Sequence, residues 1–174
     1  MLFFIKKLRK LLSRWEGKLL SLAGRVTLAK SILQSIPNYF MQSTLIPLGV
    51  CKEVEKLIRQ FIWGSSNISR KTTLVGWEKC CLPLDQEGLR LKRTQYQNKA
   101  FLLKLGFNFL LQKDALWVRI LKLKYKIDED CLQNIERRCC NFTWKSILSV
   151  WADLQSSLFW RVGDDRRVRF WTDH

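Results

Sequence analysis

Between Ser21 and Pro37 the apolar residues Leu22, Val26, Ala29, Leu33 and Ile36 recur in steps of four, three, four and three. Only a helix gathers that spacing onto one face, so the segment must bury a stripe against other helices. Ser21 stands where a side-chain oxygen can cap the first turn, and Pro37 ends the run. Gly24 lies inside it at a cost of about 1 kcal/mol relative to Ala. Two readings stand for that glycine: close approach of another helix, or simple tolerance.

The same period recurs along the chain. Residues 2–15 place Leu2, Ile5, Leu8, Leu12 and Trp15 on one stripe with Lys6, Lys7, Arg9, Lys10 and Arg14 between them, a basic amphipathic helix. Such a helix can lie on an anionic membrane, serve as a presequence, or pack on the rest of the protein. Asn38–Leu45, bounded by Pro37 and Pro47, predicts a short helix or turn. Val50, Val54, Leu57, Ile58, Phe61 and Ile62 predict a helix that stops near Gly64, with Lys52, Glu53, Glu55, Lys56 and Arg59 on a balanced, solvated face. Residues 64–73 read as a polar loop, 74–83 as a short extended or irregular piece around Val75 and Trp77, and 82–93 as a loop. Helical spacing returns from Thr94 to Phe109. It returns again from Asp114, placed to cap, to Tyr125, with Leu116, Trp117, Ile120 and Leu121 inward.

Beyond residue 126 the character changes. Asp128, Glu129 and Asp130 precede Arg137, Arg138 and the Cys139–Cys140 pair, which suggests a linker over 127–142. A last helix carries Trp144, Ile147, Leu148 and Trp151, and residues 159–171 alternate around a GDDRR turn as a hairpin would. The expected architecture is mainly α: a basic helical domain over 1–126, the linker, then a helix and small β-hairpin over 143–174.

Charge follows the same division. The net charge is +16, yet residues 127–174 carry seven positive and eight negative side chains, so the whole excess precedes residue 127. That asymmetry points to a polyanionic partner for the first part or to a missing acidic complement. If six to ten cations met phosphates, affinity would fall about 10³–10⁵-fold between 50 and 200 mM salt.

Catalytic and metal chemistry find little support. The phosphate-loop patterns GxxxxGK[ST] and GxGxxG are absent. The six cysteines show no CxxC spacing, and the single histidine is His174, so neither a zinc module nor a Cys/His or Ser/His nucleophile pair can be assembled. The acidic run at 128–130 reads as linker and Asp164–Asp165 as a turn. No apolar run is long enough to span a bilayer. The cysteines read as buried small hydrophobes in a reducing compartment. Neither a metal, a cofactor nor an enzymatic activity is expected.

An ordered set of motifs is more specific. LLSRWEGKLLSLAGRVTLAKSILQSIPNYFMQSTLIPLGV (11–50) is followed by EVEKLIRQFIWG (53–64), LVGWEKCCLP (74–83), EGLRL (87–91), NKAFLLKLGF (98–107), LWVRILKLKY (116–125), TWKSIL (143–148) and WRVGDDRRVRFWTD (160–173). This series resembles the segment between the palm and the zinc-binding region of plant non-LTR, LINE-type retrotransposon reverse transcriptases. The resemblance implies a helical thumb and connector, without the palm aspartates or the ribonuclease H carboxylates. It implies framework roles for Trp15, Leu22, Val26, Leu33 and Pro37, core roles for Trp63 and Trp77, and a structural role for the hairpin. It gives contacts to a template–primer backbone to Lys18, Arg25 and Lys30; the later cluster of Lys122, Lys124 and Lys126, interleaved with aromatics, fits phosphate contact or an ordinary helix face on pattern alone. One departure matters: the family often carries GGLG where this chain has EGLR at 87–90, which puts the turn in question.

Three functions follow as expectations. The first is a non-catalytic, retroelement-derived binder of RNA, DNA or their hybrid, without sequence choice. The second is a protein-interaction or structural module using an apolar surface that once packed on the palm. The third is a translated pseudogene product without a selected role. A nuclear or cytoplasmic location is expected, with mitochondrial import as the alternative raised by the basic first helix.

Overall fold

A computed structural model describes residues 2–14, 20–64, 72–125 and 141–159. The described residues are mainly helical and fall into two compact units, divided at Phe101 and Leu102.

The first unit is built on α4 (Leu48–Trp63), which buries Val54, Leu57, Ile58 and Ile62. The α1 helix (Leu2–Arg14) packs its stripe there, with Ile5 and Leu8 buried and Leu12 partly so. Arg9 on its outer side pairs with Glu53 at 2.7 Å. The exposed geometry of that pair makes it worth at most about 1 kcal/mol, so the apolar stripe holds the helix.

Ser21 caps α2 (Leu22–Leu28), its Oγ accepting from the Gly24 N–H at 3.3 Å. Gly24 meets only its own neighbours Leu20 and Ser21 at ordinary contact distance, so it is the tolerated glycine. The helix widens into a π turn over Ala29–Leu33, marked by the Gln34 N–H donating to the Ala29 carbonyl. Two hydroxyls lie at this transition, Thr27 donating to the Ala23 carbonyl and Ser31 to the Thr27 carbonyl. Such back-bonding loosens the regular ladder. Val26, Ala29 and Leu33 are buried, but Leu22 at the first helical position is 53% exposed; the stripe is buried only from Val26 onward.

The chain then forms α3 (Asn38–Met41), and α4 ends at Gly64 in the left-handed conformation, φ 65. The piece around Trp77, expected to be extended or irregular, holds a short helix, α5 (Trp77–Cys80). Glu55 explains its position: one carboxylate oxygen accepts from Trp77 Nε1 at 3.0 Å, the other from the Thr94 N–H at 2.8 Å. Arg59 stacks over the same indole at 5.3 Å. The face of α4 read as merely solvated therefore docks α5 and caps α6 (Thr94–Leu111).

The EGLR turn keeps the geometry that was in question. After a 3₁₀ turn at Leu84–Gln86, Glu87 and Arg90 both adopt positive φ, 58 and 52. They hold the left-handed conformations that glycine adopts freely. Gly88 is obligatory for another reason, because a Cβ there would collide with the Leu82 backbone. Asn98, 1% exposed, ties α6 to the loop before α4. Its Oδ1 accepts from the Ile46 N–H at 2.8 Å, and its Nδ2 donates to the carbonyls of Met41 and Thr44.

The second unit holds an aromatic core. Phe109 and Trp144 lie 5.0 Å apart, Tyr125 stacks on Trp144 at 5.6 Å, and Trp151 meets Phe109 edge-on. The α7 helix spans Leu116–Tyr125. The Ala115 carbonyl accepts from Val118 and Arg119, so Asp114 lies one residue outside the cap position. Val118 is the fully buried residue of α7, whereas Leu116 and Ile120, expected inward, are 70% and 51% exposed. The single last helix expected around Trp144–Trp151 is two, α8 (Phe142–Ser149) and α9 (Trp151–Ser157), meeting at Val150. Gly106 lets α9 approach, its missing Cβ position 3.0 Å from Leu154 Cδ2.

Among the described residues there is no strand. Apart from Phe159, the expected hairpin over 159–171 lies outside the described residues. So does the linker over 127–142, except for Asn141 and Phe142, the latter already in α8.

Candidate nucleic-acid interface

The predicted cations part ways in the structure. Lys18 and Lys126 lie outside the described residues. Arg25 is half-buried, its guanidinium against Gly64 at the C-terminal end of α4. There a cation faces the negative end of a helix dipole, a structural employment. Lys122 and Lys124 belong to the second unit; two residues apart on a helix, they diverge by about 200° and share no face. Lys124 lies over the Tyr125 ring at 5.5 Å.

Lys30 is placed differently. The π turn sets it on the rim of a groove in the first unit with a volume of about 510 Å³, where Arg90 and Lys92 join it. The rest of the described lining is Gln34, Ser35, Asn38 and Gln97, so among the described residues no carboxylate contributes. Gln34 Nε2 donates to the Lys92 carbonyl at 3.2 Å, which fastens the segment before α6 to the turn after α2. Gln97 Nε2 donates to Asn38 Oδ1 at 2.6 Å and closes the other side. Three cations without a counter-carboxylate form an anion-attracting concavity.

Sequence reasoning found Lys30 and missed Arg90 and Lys92. Both follow an aperiodic stretch, and only the left-handed turn at Arg90 brings them back beside α2. The one available signal was the density of cations in Arg90, Lys92 and Arg93. Arg93 is used elsewhere: it donates to Glu78 at 2.8 Å, and that hydrogen bond raises the guanidinium pKa further.

A second concavity, about 430 Å³, is bordered by Glu55, Arg59, Trp77, Glu78 and Arg93. Glu55 and Glu78 offset two of its three bases, Lys52, Arg59 and Arg93, so its field is weaker. Among the described residues no three His, Cys, Asp or Glu side chains converge as metal ligands, and no helix is long and apolar enough to cross a membrane. Cys51 and Cys80 are buried, and burial pushes both thiols above their ordinary range; Cys81 follows, with Glu55 adding to the effect.

The first unit thus presents a groove whose described charged lining residues are all cationic. The comparisons with known proteins concern the chain as a whole. It is 35% identical over 172 residues, 97% of its length, to an Arabidopsis thaliana protein named "Putative ribonuclease H protein". The chain spans 28% of the length of that relative. It is 25% identical over 140 residues to an uncharacterized mitochondrial protein of the same plant, covering 80% of this chain and 91% of that one. No protein-family model and no solved structure matches. Taken with the ordered motifs, the two matches support a retroelement-derived family of plants for this chain.

Proposed function

We propose that the chain is a non-catalytic, thumb-and-connector segment of a retrotransposon reverse transcriptase that binds the phosphate backbone of RNA or DNA without sequence choice. The observation that carries this reading is the groove: Lys30, Arg90 and Lys92 line it together, without a carboxylate among the described residues. Phosphate contacts of this kind supply affinity and position but no base reading. Three such contacts give a salt slope of about −2.7 on duplex, hence a fall of about 40-fold between 50 and 200 mM salt. Binding of labelled duplex DNA, RNA–DNA hybrid and single-stranded RNA, followed by anisotropy across that range, tests it. Loss of affinity in Lys30→Glu and Lys92→Glu supports the reading; undiminished affinity in folded variants counts against it.

A protein-contact reading is favoured by a separate observation. On α7, Leu116, Ile120 and Leu123 are 70%, 51% and 79% exposed and share one stripe at helical spacing. Concentration-dependent association that persists at high salt, and is lost in Ile120→Glu, supports it.

A further inference from the structure

The groove has two chemically different walls. One is cationic: Lys30 on the π turn, with Arg90 and Lys92 from the segment before α6. The other is amide. The Gln97 Nε2 donation to Asn38 Oδ1 uses one donor and one acceptor. It leaves Asn38 Nδ2 able to donate and Gln97 Oε1 able to accept on two residues that line this wall. A donor beside an acceptor complements the edge of an unpaired nucleobase. The volume, about 510 Å³, lies in the range of small-ligand sites and suits one nucleotide, whereas a duplex keeps its Watson–Crick edges paired.

Arg90 supplies an independent indication. Its φ of 52 is left-handed, held by its N–H donating to the Leu82 carbonyl at 2.8 Å. Arg90 lines the groove, and left-handed backbone at a residue other than glycine is the kind of strain that collects at binding sites.

We infer that the groove is a nucleotide subsite for single-stranded nucleic acid. One phosphate is held by Lys30, Arg90 and Lys92, and the adjoining base edge meets the Asn38–Gln97 pair. This rests on the backbone-binding reading above and deepens it. A duplex can touch the cationic wall, but only an unpaired nucleotide engages both.

The test uses the full chain, a labelled single-stranded RNA and the blunt duplex of equal length, titrated at equal salt. The single strand should bind at least about tenfold more tightly. Gln97→Ala should bring single-strand affinity down to the duplex level. Arg90→Gly, safe for the fold because glycine is at ease at this φ, should weaken both forms several-fold without lowering the melting temperature. Displacement of the strand by a nucleoside monophosphate, but not by inorganic phosphate, supports a seated base. A monophosphate that binds more tightly than the strand makes a free nucleotide the ligand and overturns the assignment. Equal affinity for both forms, unchanged in folded Gln97→Ala but still salt-dependent and still weakened by Arg90→Gly, overturns the subsite and leaves backbone binding intact. A folded protein that binds neither form at low salt removes both.

Discussion

Single residues carry the least obvious part of this fold. Glu87 and Arg90 hold left-handed backbone at φ 58 and 52, where a side chain costs about 1–2 kcal/mol. Glycine offsets part of that gain through its freer unfolded state. Glu87→Gly is therefore expected to stabilise by about 0.5–1 kcal/mol in urea melts. Gly88→Ala should do the opposite by several-fold more, since the new methyl meets the Leu82 carbonyl. At Asn98, replacement by Ala strands the Ile46 N–H and two carbonyls; a loss of about 2–4 kcal/mol is expected from the same melts. Cys51 and Cys80 give a chemical readout. Their thiols are raised by burial, so both stay protonated and shielded at neutral pH in the native state. Peptide-resolved alkylation at neutral pH should label them only on unfolding. Stability should fall as pH rises through the unfolded thiol range, because there the native state retains protons that the unfolded chain releases.

At the level of elements, the buried stripes decide the packing. Ile5 and Leu8 sit in the core formed with α4, so Leu8→Ala should cost about 3 kcal/mol by denaturant titration. A native stability unchanged by that substitution would show that α1 does not belong to the fold. The helices themselves were legible from spacing: α1, α2, α4, α6 and α7 all lie where the apolar period placed them. Their inward faces were less so. On α7 two apolar stripes compete, Leu116–Ile120–Leu123 and Trp117–Leu121–Tyr125 with Val118. Only the aromatic cluster with Phe109 and Trp144 selects the second. On α4 the charged Glu55 and Arg59 looked like a solvated face, because pattern does not record that an indole N–H and a helix N-terminus will arrive there. The stretch from Leu82 to Arg93 has no period at all, so the positions of Arg90 and Lys92 depend on a turn that composition does not encode.

For the whole molecule, charge is the property that links sequence to function. A net charge of +16 spread evenly would attract any polyanion weakly. Folding instead assigns the cations to different uses: Arg9 pairs with Glu53, Arg93 with Glu78, and Arg25 sits at the end of α4. Lys30, Arg90 and Lys92 are left to line a groove without an acid. Nucleic-acid binding through that groove is the central claim. The most direct test is an anisotropy titration of single-stranded RNA and RNA–DNA hybrid with the full chain and with a Lys30→Glu, Lys92→Glu double variant of native circular dichroism. The groove account predicts salt-dependent binding by the unmodified chain and a drop of at least about tenfold in the double variant. Equal binding by both proteins would contradict it, since the affinity would then belong to the diffuse charge of the chain rather than to the groove.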